Sequence, residues 1–214
     1  VKEYGFKSEE VANRDLIIGN LYGNLGYYKD SYLYLSKALS YYENIKKRNI
    51  KKELEILYSL GLHFEDKGEI KNAEEIHKKA LKLVVENYGS EKKELIIDIY
   101  STLSRFYIDN FEFKKAIEII NKGLELEKNN IKILSSKGAL LNYQDNFTES
   151  QEIFEFVLEK EIEKYGQDSF ELWPTKQYIA SNYSSLGMYL KSNEILKSII
   201  KDAYNDGWED VVYL

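Results

Sequence analysis

Apolar side chains recur along this chain at intervals of three and four, the period of a helix that buries one face. Leu33 to Leu39, Ile76 to Leu83, Ile117 to Leu124 and Ile195 to Ile199 all carry that spacing. A longer period lies over it. Leu60-Gly61-x-x-Phe64 is followed by Gly68, Ala73, His77 and Ala80. Ile18-Gly19-x-x-Tyr22, with Gly26, Ser31, Leu35 and Ala38, repeats the pattern 42 residues earlier. Leu103-Ser104-x-x-Tyr107, with Phe111, Ala116, Ile120 and Gly123, repeats it 43 residues later. Gly138, Leu141, Ser150, Phe154 and Val157 form a fourth copy, and Ala180, Tyr183, Gly187, Ser192, Leu196 and Ile199 a fifth. The five copies cover residues 12–206, with units starting near 12, 54, 97, 131 and 173.

Each unit reads as two amphipathic helices joined by a short turn around Gly26, Gly68, Phe111, Asp145 or Gly187. Gly19, Gly61, Ser104, Gly138 and Ala180 are small enough for the first helix to approach its partner closely. Ala38, Ala73, Ala80 and Ala116 do the same on the second helix. Tyr22, Phe64, Tyr107 and Tyr183 fill the space between helices. One such hairpin cannot bury its apolar face alone, so neighbours must stack. The Gly residues of Tyr88-Gly89 and Tyr165-Gly166 fit left-handed helix caps. Trp173-Pro174 holds the only proline and reads as a helix start, where a missing N–H lacks a partner anyway.

Composition narrows the function classes. Of 214 residues, 43% are apolar and 31% charged, which fits neither a disordered nor a membrane-embedded chain. No run of 18 apolar residues is present, so no membrane partner is expected. The net charge of -6 argues against nucleic acid as a partner. With no cysteine there is no disulfide, no thiolate nucleophile and no Cys-ligated metal, and a reducing, cytoplasmic setting is expected. GxxxxGK[ST], GxGxxG, HExxH and GxSxG are all missing, so the chain is not expected to be an enzyme or to hold a cofactor or metal. The two histidines, His63 and His77, read as packed helix residues. The basic run Lys46-Lys47-Arg48-Asn49-Ile50-Lys51-Lys52 reads as a solvated loop between units.

The five-fold small-aromatic-small pattern resembles the tetratricopeptide repeat family. The 42-residue spacing and the Tyr-Gly markers are similar to the long repeats of kinesin light chains, mixed here with one 34-residue link at Leu124 to Asn130. The resemblance implies an all-α fold, a right-handed α-solenoid of about five antiparallel helix pairs. It divides the chain into residues 1–11, the tail of a preceding repeat marked by Tyr4-Gly5 or a lead-in, then the array at 12–206. Residues 207–214, with Trp208 and Val211 to Leu214, would begin a further repeat or form a capping helix. Apolar residues at both ends suggest a fragment of a longer protein, or end helices that cap or dimerise.

In that family the first helices line an inner groove, with places two, five, nine, twelve and thirteen of each unit pointing inward. The resemblance therefore implies a peptide-binding set of Asn20, Asn24, Tyr58, Glu65, Asp66, Arg105, Asp109, Asn142, Tyr143 and Gln177, with Leu16 and Ile108 at equivalent places. Asn and Gln can satisfy both the N–H and the C=O of an extended peptide. Glu65, Asp66, Asp98 and Asp109 favour a neutral or basic protein or peptide. The Lys, Asn and Arg clamp with which family members hold an Hsp70 or Hsp90 C-terminal tail is not kept: the relevant places carry residues such as Leu16, Asn20, Ser59, Asp98 and Thr102, so that partner is not expected. Exposed terminal repeats would offer a surface for homo-oligomers. The expected function is a non-enzymatic protein- or peptide-binding scaffold. Alternatives are a ligand- or peptide-sensing domain of a larger bacterial regulator and a spacer attached to an enzyme such as a protease.

Overall fold

The computed structural model describes residues 8–89 and 91–205. The expectations placed on Tyr4-Gly5 and on Trp208 to Leu214 lie outside the described residues. Those residues form ten α-helices and one short 3-10 turn, with no strand among them. The helices are α1 (Glu9–Asn24), α2 (Tyr28–Asn44), α3 (Ile50–Asp66), α4 (Ile70–Tyr88), α5 (Lys93–Asp109), α6 (Phe113–Leu126), α7 (Ile131–Tyr143), α8 (Phe147–Tyr165), α9 (Trp173–Ser185) and α10 (Tyr189–Asn205). The chain divides into two compact units, residues 1–99 and 100–214.

Local chemistry sets where helices begin. The side chains of Ser8, Asn49 and Asn130 accept from the backbone N–H of Val11, Lys52 and Lys132, which would otherwise lack partners in the first turn. Pro174 sits in the first turn of α9. The turns within pairs are equally local. Gly26, Gly68, Phe111, Asp145 and Gly187 all take positive φ, at 78, 76, 59, 58 and 76°. In each turn the backbone N–H of the next residue returns to the carbonyl five residues before it, as in Tyr27 to Tyr22 and Glu112 to Tyr107, both at 2.8 Å. Gly89 and Gly166 also have positive φ, but their ψ angles of -132 and 161° lie outside the left-handed helical region expected of them.

In the first unit, α1 packs on α2, α3 on α4, and α2 on α3. Leu16, Leu35, Ala38, Tyr42, Ile56, Leu57 and Leu60 form its buried core, each large side chain contributing about 2 kcal/mol by leaving water. A methyl group at Gly19 would lie 2.7 Å from the Leu35 side chain, and one at Gly61 would overlap His77. These glycines set the close approach within a pair. Glu53 is buried at 1% exposure and receives the Arg48 guanidinium through Nε at 2.9 Å and through Nη2. The basic run is therefore not wholly solvated: Arg48 neutralises a buried acid, and the run continues into α3.

In the second unit, α6 packs on α7, α7 on α8, α8 on α9 and α9 on α10. Gly138 fits under Phe154, and Gly123 under Ile133. Phe154 is fully buried and stacks on Tyr178, with centroids 4.5 Å apart and planes 8° apart. Lys176 and Asp202 join α9 to α10 at 2.8 Å, both largely buried.

Candidate functional site

The expected inner-face residues divide between the two units. In the second unit, Arg105 and Asp109 lie one turn apart on α5, so they share a face. Tyr143 closes α7, with its side chain 44% exposed. Phe111 and Phe113 meet the Tyr143 ring at centroid distances of 6.2 and 6.4 Å. Tyr178 on α9 has its hydroxyl pKa pushed up, first by burial and then by Tyr143 and Asp109, with Arg105 acting in the opposite direction. Arg105, Asp109, Tyr143 and Tyr178 are thus electrostatic neighbours. Phe111 is 70% exposed while held at φ 59°, a conformation that costs a bulky side chain about 1–2 kcal/mol. Gln177 is exposed beside Tyr178.

Asn142 is only partly free for such a role. Its Nδ2 donates to Asn182 Oδ1 at 2.7 Å, Asn182 Nδ2 donates to Ser150 Oγ at 3.0 Å, and Ser150 Oγ donates to the Gly138 carbonyl at 2.9 Å. This chain of bonds ties α7, α8 and α9 together.

In the first unit, Asn24, Tyr58 and Asp66 are exposed. Asn20 is half-buried, and its Oδ1 has no hydrogen-bond partner among the described residues. Glu65 departs from expectation. It bonds Nε2 of the buried His77 at 2.6 Å, so its carboxylate satisfies the core. Leu16 and Ile108 depart further: at 2% and 1% exposure they belong to the core, because an apolar side chain at those places turns inward. Asp66 and Asp109 each end a first helix, where the helix dipole disfavours negative charge; neither position is explained by helix stability.

Sequence reasoning missed three features. Tyr178, Phe111 and Asn182 join the second-unit group, and only the aromatic residues at helix ends hinted at it. His63 is hydrogen-bonded to Ser31 Oγ at 2.5 Å and packs against Gly23. Burial holds its pKa below the ordinary value, with Asp66 opposing. A cavity of about 500 Å³ opens beside it, walled by Tyr28, Tyr32, Leu60, Phe64 and Ile76 and rimmed by the paired Lys67 and Glu69. It lies at the turn edge of the first unit. Among the described residues no group of three or more His, Asp or Glu is placed to hold a metal, and no helix is long and apolar enough to cross a membrane.

Two stretches of the chain, residues 16–45 and 97–130, match the sequence model of the tetratricopeptide repeat. Those two stretches are tetratricopeptide repeats. Among solved structures it is similar to BtubC from P. vanneervenii, with TM-score 0.72 and 16% identity over 92% of this chain and 82% of that one. A kinesin-light-chain repeat protein of Podosopora anserina gives TM-score 0.68 and 12% identity over 94% and 99%. MamA gives TM-score 0.51 and 17% identity over 94% and 96%. No curated protein matches the sequence. At these identities the likeness concerns the fold, an all-α tetratricopeptide solenoid of adjacent helix pairs with kinesin-light-chain-like neighbours.

Proposed function

We propose that this tetratricopeptide chain is a non-catalytic scaffold that holds a segment of a protein partner against its first helices. The observation that carries the reading is the second-unit cluster of Arg105, Asp109, Phe111, Tyr143 and Tyr178. It combines exposed aromatic walls with a charged pair, and one wall, Phe111, keeps an unfavourable backbone conformation while facing solvent. A site of this kind suits a short extended peptide with one aromatic or aliphatic anchor, the rings taking the anchor and Arg105, Asp109 and Gln177 bonding its backbone. Asp66 and Asp109, placed against their helix dipoles, favour a neutral or basic segment. The exposed Asn24 and Tyr58, with Asn20, would offer a contact of the same kind within the first unit.

The test is to pan a random dodecapeptide library against the chain and measure the selected peptides by fluorescence polarisation. Tyr143→Ala and Arg105→Glu should each weaken binding about tenfold, near 1.4 kcal/mol, while thermal midpoints stay put. Unchanged affinity in both variants would overturn the reading.

A further inference from the structure

Junctions between successive repeats use a fixed register. With places counted from the unit starts, Phe154 at place twenty-four stacks on Tyr178 at place six of the next repeat. Ser31 and Ser150, both at place twenty, bond His63 and Asn182, both at place ten of the following repeat. Tyr32 at place twenty-one meets Phe64 at place eleven at a centroid distance of 5.7 Å. Place twenty-four is buried in four repeats, as Leu35, His77, Ile120 and Phe154. Place ten is buried as Phe106, Leu140 and Asn182.

The two ends break this rule in matching ways. Place twenty-four of the last repeat, Leu196, is 41% exposed, and Ile200 one turn on is 47% exposed. On α1, place six is Ile17 at 60% and place ten is Leu21 at 57%. Among the described residues, one end presents a second-helix face with no first helix on it, and the other presents a first-helix face with no second helix on it. The register that joins Phe154 to Tyr178 would seat Leu196 on Ile17, and Ser192 beside Leu21. Successive helices run antiparallel, so Lys197 and Lys201 at the end of α10 would approach Glu9 and Glu10 at the start of α1. All four are exposed charges.

We infer that these faces bind each other between two copies of the chain, α10 of one on α1 of the next, continuing the repeat stack across molecules. The contact is heterologous, since each copy uses a different face, and it can propagate.

Sedimentation or light scattering between about 1 and 500 µM tests this. The wild-type mass should rise with concentration above that of one chain. Leu196→Glu and Ile17→Glu should each stay monomeric, with helix content and thermal midpoint unchanged, because both sites are exposed. An equimolar mixture of the two variants should form a 1:1 dimer and stop there: the intact α10 face of the Ile17→Glu chain meets the intact α1 face of the Leu196→Glu chain, and their other faces are blocked. A wild-type chain that stays monomeric throughout would overturn the inference. So would self-association that either variant keeps alone, or that the mixture fails to restore.

Discussion

The α2/α3 junction in the first unit and the α8/α9 junction in the second use the same places for different chemistry. At both, a serine at place twenty bonds the residue at place ten of the next helix. That residue is His63 in one unit and Asn182 in the other. The place it packs against is Gly23 in the first unit and Asn142 in the second. Backbone geometry therefore fixes which places touch, while the side chains there are free to vary together. An imidazole needs a bare glycine opposite. The shorter Asn182 leaves room for Asn142, which then donates a hydrogen bond.

The sharpest way to break this comparison is at Gly23. A methyl group there would overlap the His63 ring, which Ser31 holds in place. Gly23→Ala should cost about 2–3 kcal/mol in denaturant unfolding, and adding His63→Ala should recover most of it. Asn142→Ala, at the equivalent place, should cost only about 1 kcal/mol, for one hydrogen bond. Equal costs at the two places would show that the junctions are not built on one plan.

A second comparison sets Phe111 against Gly68, the same turn place in different units. Phe111→Gly should raise stability by about 1 kcal/mol by relieving the left-handed conformation, yet weaken any selected peptide that uses the aromatic wall. A variant that is stabilised with binding intact would leave the exposed ring without a role.

The smallest effect follows from titration. The folded-state pKa of His63 lies below the ordinary 6.5 because burial disfavours the charged ring. The unfolded chain therefore takes up this proton first, and stability falls as pH drops through 6.5 until the folded value is passed. The ring is partly open to solvent, so the loss between pH 7.5 and 5.5 should be small. Comparing denaturant midpoints of wild type and His63→Asn across that range isolates it, and a difference that does not change with pH would contradict the assignment.

Much of the fold could be read from residues because its determinants are local. The turns at Gly26, Gly68, Phe111, Asp145 and Gly187 follow from chain reversal between two helices, and the proline at the head of α9 from a missing donor. The site was less legible because its partners come from different helices. Glu65 was expected to face a ligand, but the partner that engages it, His77, is twelve residues away on α4. Arg48 reads as part of a solvated run, yet Glu53 lies buried beside it and takes its guanidinium. Leu16 and Ile108 could have been excluded from an inner face by their apolar character alone. Place ten, the hub of each junction, carries His, Phe, Leu or Asn, so no single residue type marks it.

The central claim is that ligand contact falls on the first helices of the second unit. Hydrogen–deuterium exchange of the chain with and without a library-selected peptide tests it directly. The account predicts added protection at the ends of α5 and α7 and in α9, around Arg105 to Phe111, Asn142, Tyr143 and Gln177 to Asn182. Protection confined to the second helices α6, α8 and α10 would contradict it.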